Sequence, residues 1–254
     1  MKKFIIAIMV SAIVLLTTAC AQAGAVSADQ EALKAEETSA AGEKVIDLDA
    51  AQARREIMQK YRLDDSVKQM MIVSHTEGWN ARVFFYEKAE VNDAWTLVFD
   101  GEAYIGKNGM NKTKEGDTKT PCGDYEILQA FGILPNPGTM LEYIDITPET
   151  FACDEDCEYY NQIIDTKETG HNCKGEEMYK FCPEYNYGLT TSFNRENKYP
   201  DGSAIFVHCK GQKPFTGGCI ALEEQEMKLV LEKAEPGMHI YLDEYYVKGD
   251  VSGN

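Results

Sequence analysis

Two residues with chemically reactive side chains lie near each other in the C-terminal part of the chain. His208 stands near the end of Ser203–Cys209, an apolar run that predicts a buried strand, and Cys219 follows a short loop. Their spacing is too wide for one helical face but suits two neighbouring strand ends. A cysteine attacks as a thiolate, and an adjacent imidazole can take its proton. The pair predicts an acyl-transfer site.

The loop before the cysteine has residues that suit this chemistry. Gly217 and Gly218 lack side chains, so their backbone can turn sharply and direct N–H groups at a developing oxyanion. Thr216 adds a hydroxyl that can hydrogen-bond within the loop. The same residues also fit a disulfide-bonded cysteine after a glycine turn, with His208 bound to a carbonyl group.

This loop and a segment upstream of it resemble the L,D-transpeptidase catalytic domain family (YkuD type). His208 followed by Thr216–Ile220 is similar to the family signature of a histidine, a loop and Ser/Thr-x-Gly-Cys. Upstream, Ala103–Gly109 and Lys114–Gly123 resemble the family's GKNG and KEGDxxTPxG segments. The resemblance extends over most of the chain that follows the N-terminal extension.

The resemblance implies acyl transfer on peptidoglycan. In the family, the cysteine attacks the L,D-peptide bond between the third residue, a diamino acid, and the fourth residue, D-alanine, of a stem peptide. An acyl-enzyme forms and is resolved by an amine or by water. Carried over to this chain, Cys219 is the nucleophile and His208 the base and later the acid. The N–H groups of Gly218 and Cys219 are the oxyanion donors, and Gly217 allows the turn. No cofactor is implied.

One position departs from the family pattern. Ala221 stands where many members have an arginine after Gly-Cys-Ile, so the substrate contacts stay open. Tyr187 and Ser203 are candidates for such contacts. Three functions remain: a transpeptidase of the wall, a thiol carboxypeptidase or amidase acting on the same wall peptides, and a non-catalytic wall-binding protein whose Cys219 is disulfide-bonded.

Composition narrows the class of protein and its partners. The chain has 254 residues, of which 44% are hydrophobic, enough for one domain with extensions or for two small domains. Its formal net charge of −17 makes a surface that repels phosphate, so nucleic acid is not an expected partner. The expected partner, implied by the resemblance, is the peptidoglycan stem peptide.

The N-terminus predicts export to the cell envelope. Lys2 and Lys3 precede Phe4–Leu16, an apolar run too short to span a bilayer, and residues 1–23 are interpreted as a signal peptide. Two processing routes fit. Residues 15–20 resemble a lipobox, which would lipidate Cys20 and attach the protein to the membrane. Ala-x-Ala sites ending at positions 21 and 23 suit ordinary signal cleavage and secretion to the wall.

The rest of the chain predicts a mainly β fold with a few helices. Residues 24–65 are interpreted as a tether followed by an amphipathic helix over Val45–Leu63. Residues 66–245 contain short β-rich runs separated by turn residues and are the expected catalytic domain, a β-sandwich or barrel. A helix is expected after Cys219, from the spacing of Met227, Val230 and Leu231. Residues 246–254 form a tail.

The other cysteines have three interpretations, namely disulfide bonds, a zinc site, or free thiols if the host is anaerobic. Leaving out Cys20 and Cys219, six remain: Cys122, Cys153, Cys157, Cys173, Cys182 and Cys209. Six cysteines allow 15 pairings. Local Cys153–Cys157 and Cys173–Cys182 bridges and a Cys122–Cys209 bridge are plausible. Zinc binding by several of them together with His171 is an alternative, but the spacing matches no common zinc motif and export favours disulfides. No metal is predicted.

Overall fold

The computed structural model describes residues 48–244. The predicted signal peptide, Cys20, the tether that follows and the tail over residues 246–254 lie outside the described residues. The helices are α1 (Leu48–Arg62), α2 (Thr166–Thr169) and α3 (Glu224–Lys233), with 3₁₀ turns at Met178–Lys180 and Glu184–Asn186. Of these, α1 and α3 occupy the two segments for which the sequence predicts helices.

Strands dominate the described part of the chain. They are β1 (Gln69–Glu77), β2 (Asn80–Glu87), β3 (Thr96–Tyr104), β4 (Gly123–Gly132), β5 (Tyr143–Asp145), β6 (Thr150–Cys153), β7 (Gln162–Asp165), β8 (Glu176–Glu177), β9 (Gly188–Thr191), β10 (Phe206–Cys209), β11 (Ile220–Leu222) and β12 (His239–Asp243). The predicted mainly β class is confirmed.

The main sheet closes on itself. Its strand order is β12-β1-β2-β3-β11-β10-β9-β4-β5, and β12 also pairs with β4. This second pairing makes a barrel, beside which β5 extends from β4. Most neighbours are antiparallel, but β1–β12, β4–β5 and β10–β11 are parallel. Closure removes the open sheet edges that would otherwise pair with other chains.

The barrel interior is the main hydrophobic core. Side chains alternate between the two faces of a strand, so every second residue enters the core. Val207 in β10 and Ile220 in β11 are completely buried there. The helix α3 buries Met227, Val230 and Leu231 against the same core, as its i, i+3, i+4 spacing predicts.

The helix α1 covers another side of the barrel. Met58 and Tyr61 are buried in a second apolar cluster. Arg54 reaches from the helix to Asp243 at the end of β12 in a buried ion pair of 2.5 Å. The helix therefore docks on the barrel through its apolar face and one buried charge pair. No helix within residues 48–244 is long and apolar enough to cross a membrane.

A long excursion between β4 and β9 lies against the outer face of the barrel. It carries a small sheet of order β7-β6-β8. Ala152, Met178 and Tyr185 from the excursion pack with Phe131 and Phe206 from the barrel. Residues that the sequence leaves irregular thus form a second apolar layer, and the space between this layer and the barrel contains the candidate site.

Candidate active site

The pairing of β10 with β11 places the two reactive residues on one face. The strands run parallel, with His208 opposite Ala221 and Val207 opposite Ile220. Residues directly opposite share a face, and so do residues two positions apart. Since Val207 and Ile220 fill the core, His208 and Cys219 lie on the outer face of the barrel. The sequence expectation of two neighbouring strand ends is therefore met.

Both residues line a single cleft of about 450 Å³ between the barrel and the excursion. The other predicted loop residues, Thr216, Gly217 and Gly218, line it too, as does Ser203.

Tyr187 does not line the cleft, and its predicted substrate contact is wrong. Its side chain is only 7% exposed and packs in the main core. The physical reason is the turn that precedes β9, which directs Tyr187 into the barrel. Tyr185, two residues earlier, lines the cleft instead.

The Cys219 thiol is held as a neutral group. Its Sγ donates to the Ala204 carbonyl oxygen at 3.0 Å, and the Phe206 N–H donates to Sγ at 3.4 Å. Burial raises the pKa of the Cys219 thiol to about 12, with a further contribution from Glu176, while the Phe206 N–H and Lys112 act to lower it. Within residues 48–244, no hydrogen bond joins Sγ to the His208 ring.

The His208 ring is also neutral and has a fixed orientation. Its Nδ1 lies 2.8 Å from the Cys209 carbonyl oxygen. A carbonyl oxygen can only accept, so the neutral ring carries its proton on Nδ1 and keeps Nε2 as a base. Burial lowers the pKa of His208 below its ordinary value of 6.5, partly offset by the bond to Cys209. Tyr185 contacts the ring edge-on, at 5.4 Å between centroids.

If Cys219 is a nucleophile, both it and His208 start as neutral groups. The thiol proton is hydrogen-bonded to the Ala204 carbonyl oxygen at rest, so Cys219 would have to turn towards Nε2 of His208 before it could be deprotonated. A buried ion pair would be costly to maintain without substrate. The arrangement thus fits proton transfer that accompanies attack, rather than a thiolate that exists beforehand.

Thr216 organises the loop that carries the cysteine. Its hydroxyl donates to the Cys219 carbonyl oxygen at 2.6 Å and accepts from the Gly218 N–H at 3.1 Å. The Gly218 amide is therefore engaged inside the loop, in contrast to the expectation that it points at an oxyanion. The backbone bends at both glycines, and Gly218 has the positive φ, +150°.

The two glycines should respond differently to alanine. A Cβ on Gly218 would lie 2.7 Å from the Lys119 carbonyl oxygen and would need a φ that side chains disfavour. A Cβ on Gly217 would meet nothing within 4 Å. We expect Gly218→Ala to lower the free energy of unfolding by about 1–3 kcal/mol and to disturb the cysteine loop, whereas Gly217→Ala stays close to wild type. Urea unfolding of both variants measures the difference, and equal losses would contradict this assignment.

The upstream segment with the KEGD motif contacts the cysteine loop directly. The Thr120 hydroxyl donates to the Gly218 carbonyl oxygen at 2.7 Å and accepts from the Gly106 N–H at 2.9 Å. Thr216 forms a bridge with Gly106. The segment therefore supports the site structurally.

Asp117 is the centre of that segment. Its carboxylate accepts the N–H groups of Thr113, Lys114 and Lys119. It also pairs with Lys112 at 3.0 Å, and the two side chains are only 9% and 2% exposed. Although burial opposes ionisation, these hydrogen bonds lower the pKa of Asp117 to about 2. The ion pair thus stabilises the fold above pH 3.8, the ordinary pKa, and this contribution is lost as pH falls towards 2.

Replacing Asp117 with asparagine should destabilise the protein strongly. The variant leaves the buried Lys112 ammonium without its counter-charge, at a cost of about 3 kcal/mol in the free energy of unfolding. Asp100→Asn is the matched control, because its ion pair with Arg82 is exposed and should contribute less than about 1 kcal/mol. Urea titration at neutral pH measures both, and a similar loss in the two variants would contradict the role of burial.

Glu115 is a site residue that the sequence reasoning does not single out. Its carboxylate accepts the hydroxyls of Ser203 and Tyr160, both at 2.7 Å. Tyr160 in turn accepts the Gly202 N–H. These bonds fix the segment that presents the Ala204 carbonyl oxygen to Cys219. The signal was present in the sequence, since Glu115 belongs to the quoted KEGD motif.

The cleft is lined by groups of both charges. Asp154, Glu176 and Glu184 come from the excursion, and the other charged lining residues are Lys107, Lys112, Glu115 and Lys213. Tyr185 donates a short hydrogen bond to Glu176, whose pKa is raised by burial despite that bond. The cleft can therefore accept a ligand with both an amine and a carboxylate.

The cysteines of the described chain are free thiols. They are Cys122, Cys153, Cys157, Cys173, Cys182, Cys209 and Cys219. None of the plausible disulfides is formed in residues 48–244. The alternative in which Cys219 is disulfide-bonded is therefore not supported by the structure.

Comparison with known proteins identifies the domain. Residues 79–242 match the family model described as YkuD: L,D-transpeptidase catalytic domain. No curated protein is significantly similar to this chain.

Three solved structures illustrate the similarity. The cell shape determining protein Pgp2 of Campylobacter jejuni is 18% identical, with a TM-score of 0.40, over 76% of this chain and 56% of that one. The Mycobacterium tuberculosis L,D-transpeptidase 1 is 12% identical, with a TM-score of 0.33, over 69% and 61%. The Mycobacterium smegmatis L,D-transpeptidase is 13% identical, with a TM-score of 0.32, over 69% and 58%. The chain thus spans less than two thirds of the length of each.

Proposed function

The chain belongs to the L,D-transpeptidase catalytic domain family, and from this premise we propose that it is a cysteine acyltransferase acting on peptidoglycan stem tetrapeptides. The observation that supports the proposal is the convergence of a thiol and an imidazole, Cys219 and His208, on one cleft. The proposed chemistry uses thiol, imidazole and backbone amide groups.

The first half-reaction forms a thioester. Nε2 of His208 takes the Cys219 proton as Sγ attacks the carbonyl carbon of the bond before the terminal D-alanine. The oxygen of the tetrahedral intermediate becomes negative. Because the Gly218 N–H is bound to Thr216, we assign its stabilisation first to the Cys219 N–H. The imidazolium then gives its proton to the departing D-alanine amine as the C–N bond breaks.

The second half-reaction returns the enzyme. An acceptor amine attacks the thioester carbon and loses a proton to His208, which passes it to the leaving Cys219 sulfur. A new amide bond links the two stem peptides. Each cycle breaks one amide bond, which releases one D-alanine, and forms one new amide bond to the acceptor.

The charged groups that line the cleft suit this substrate. The acidic wall, with Asp154, Glu176 and Glu184, is complementary to the side-chain amine of a diamino acid. Lys107 and Lys213, which also line the cleft, are complementary to the D-alanine carboxylate. This arrangement would align the L,D-bond over the sulfur.

A second function, hydrolysis of the same acyl-enzyme, is favoured by Ala221. This residue lines the cleft opposite His208, where many family members have an arginine. A site without that cation has weaker means of fixing a peptide acceptor, and water then competes for the thioester. The product would be a shortened monomer rather than a ligated dimer.

Mass spectrometry of the products tests the proposal. The full chain is incubated with a stem tetrapeptide, and a dimer formed with loss of D-alanine indicates transfer. A tripeptide alone indicates the carboxypeptidase, which uses the same residues. If neither product forms, although circular dichroism shows a folded β protein, the enzymatic proposal fails.

The proposed activity belongs in the cell envelope, where peptidoglycan lies. Residues 1–23 would direct the export, and Cys20 would attach the protein to the membrane if it is lipidated. Both routes stay predictions from the sequence.

A further inference from the structure

A cluster of metal-ligating side chains lies at the tip of the excursion, outside the catalytic pair. Its sulfurs come from Cys153 at the end of β6, Cys157 in the following turn and Cys173 in the loop before β8. Sγ of Cys153 lies 3.4 Å from Sγ of Cys157, which in turn lies 3.6 Å from Nε2 of His171. Donor atoms of Cys153, His171, Cys173 and Glu155 all lie within 4.8 Å of one another.

These separations match a tetrahedral ion rather than a disulfide. Two sulfurs bound to one zinc ion at about 2.3 Å are roughly 3.8 Å apart, whereas a disulfide joins them at about 2.05 Å. Three sulfurs also converge here, so any single disulfide would leave one thiol without a partner. Cys153 and Cys173 are buried, so both are already shielded from solvent before any ion binds.

A backbone N–H donates to each of the three sulfurs. The Tyr159 N–H donates to Sγ of Cys157 at 3.4 Å, and the Gly175 N–H donates to Sγ of Cys173 at 3.2 Å. The Glu155 N–H makes the same contact with Cys153. Each donor comes two residues after the cysteine it contacts. Hydrogen bonds of this kind orient ligands and partly neutralise thiolates in metal sites.

We propose that Cys153, Cys157, His171 and Cys173 bind one structural Zn²⁺ ion. Binding converts three thiols to thiolates with release of three protons, and the imidazole binds in its neutral form. Four protein ligands fill a tetrahedral shell, as in structural rather than catalytic zinc sites. The Glu155 carboxylate lies within the same 4.8 Å, and its Oε2 accepts the Lys174 N–H at 2.9 Å, so Glu155 is the alternative to Cys157 as the fourth ligand. This proposal departs from the sequence analysis, which predicts no metal.

The site would fix one wall of the substrate cleft. Ala152 and Asp154 flank the ligand Cys153, and Glu176 lies opposite Ala152 in the sheet register. All three line the cleft. A short sheet with little apolar core of its own gains rigidity from an ion that joins its two loops.

Metal analysis of the full chain tests the proposal. The Cys219→Ser background is used throughout, so that the catalytic thiol cannot bind the ion. We expect about one zinc per chain after purification with Zn²⁺ and reductant. Exchange for Co²⁺ should give thiolate-to-cobalt charge-transfer absorption and the intense visible bands of tetrahedral cobalt. Adding Zn²⁺ to metal-free protein should raise the melting temperature.

Matched variants assign the ligands. Cys153→Ser and Cys173→Ser should reduce bound zinc to near zero, whereas Cys182→Ser and Glu155→Gln should keep it, since Cys182 is exposed and bonded only to Asn186. If a ligand variant fails to fold, the cobalt spectrum of the background protein still decides. Absence of charge-transfer bands, a Cys153–Cys157 disulfide in peptide maps, or loss of zinc in Glu155→Gln would overturn the proposed ligand set.

Discussion

Replacing Cys219 with serine should reduce the turnover of stem tetrapeptides by at least about 10⁴-fold. The serine hydroxyl is far less acidic and less nucleophilic than the thiol. His208 is the same base in both proteins and does not compensate for this difference. The fold should not change, because a serine hydroxyl can donate to the Ala204 carbonyl oxygen as the thiol does. Product formation by mass spectrometry and the melting temperature measure the two effects separately.

Cys182→Ser is the control for this experiment. Cys182 is exposed, and its contact is a 3.4 Å hydrogen bond to Asn186. The Cys182→Ser variant should therefore keep the wild-type turnover of stem tetrapeptides. Intact-mass measurement adds a second criterion, since an acyl adduct should accumulate on wild type and be absent from Cys219→Ser. Wild-type turnover in the Cys219 variant would refute the nucleophile assignment.

The placement of His208 and Cys219 at neighbouring strand ends could be predicted from sequence because its determinants are local, whereas their proposed catalytic roles come from the family resemblance. An apolar run that ends near a histidine predicts a strand, and a glycine-containing loop before a cysteine predicts a turn. The face that each residue occupies follows the alternation along a strand, with Val207 and Ile220 inside and His208 outside, but the parallel pairing of β10 with β11 is known only from the structure. The helix α3 can be predicted equally well, from the spacing of its buried residues Met227, Val230 and Leu231.

The wall of the cleft that the excursion forms could not be predicted in the same way. Tyr185 and Tyr187 are equivalent by residue type, and their environments differ only because the chain between β4 and β9 folds back over the barrel. That folding depends on contacts distant in sequence, such as Phe131 with Phe206 at 5.2 Å between ring centroids. The same long-range packing decides which tyrosine faces the cleft.

The cysteine cluster shows a further limit of sequence reasoning. Spacing between Cys153, Cys157, His171 and Cys173 fits no common zinc motif, and export favours disulfides. The small sheet brings two loops together through the pairing of β6 with β8, and this pairing has no strong local signal. A metal site assembled from separate loops is therefore visible only once the topology is known.

Replacing His208 with glutamine should lower turnover by about 10²–10⁴-fold, the usual contribution of a general base. Glutamine keeps a similar size and can hydrogen-bond to the Cys209 carbonyl oxygen, but it has no basic nitrogen. The variant therefore keeps the hydrogen bond that orients the side chain at position 208 but removes its ability to accept a proton. The variant should still bind tetrapeptide, so kcat falls far more than KM changes.

The pH profile identifies His208 independently. Catalysis needs the neutral ring, and burial lowers its pKa below 6.5, so the acid limb of kcat/KM should lie below pH 6.5 and activity should be level as pH rises through 7. His208→Gln should lose this limb. His75→Gln should keep both the limb and the rate, because His75 is half-buried away from the residues that line the cleft, with its Nε2 3.0 Å from the Gly78 carbonyl oxygen. An acid limb that persists unchanged in His208→Gln would assign the base to another group in the cleft, with Glu176 the first to test.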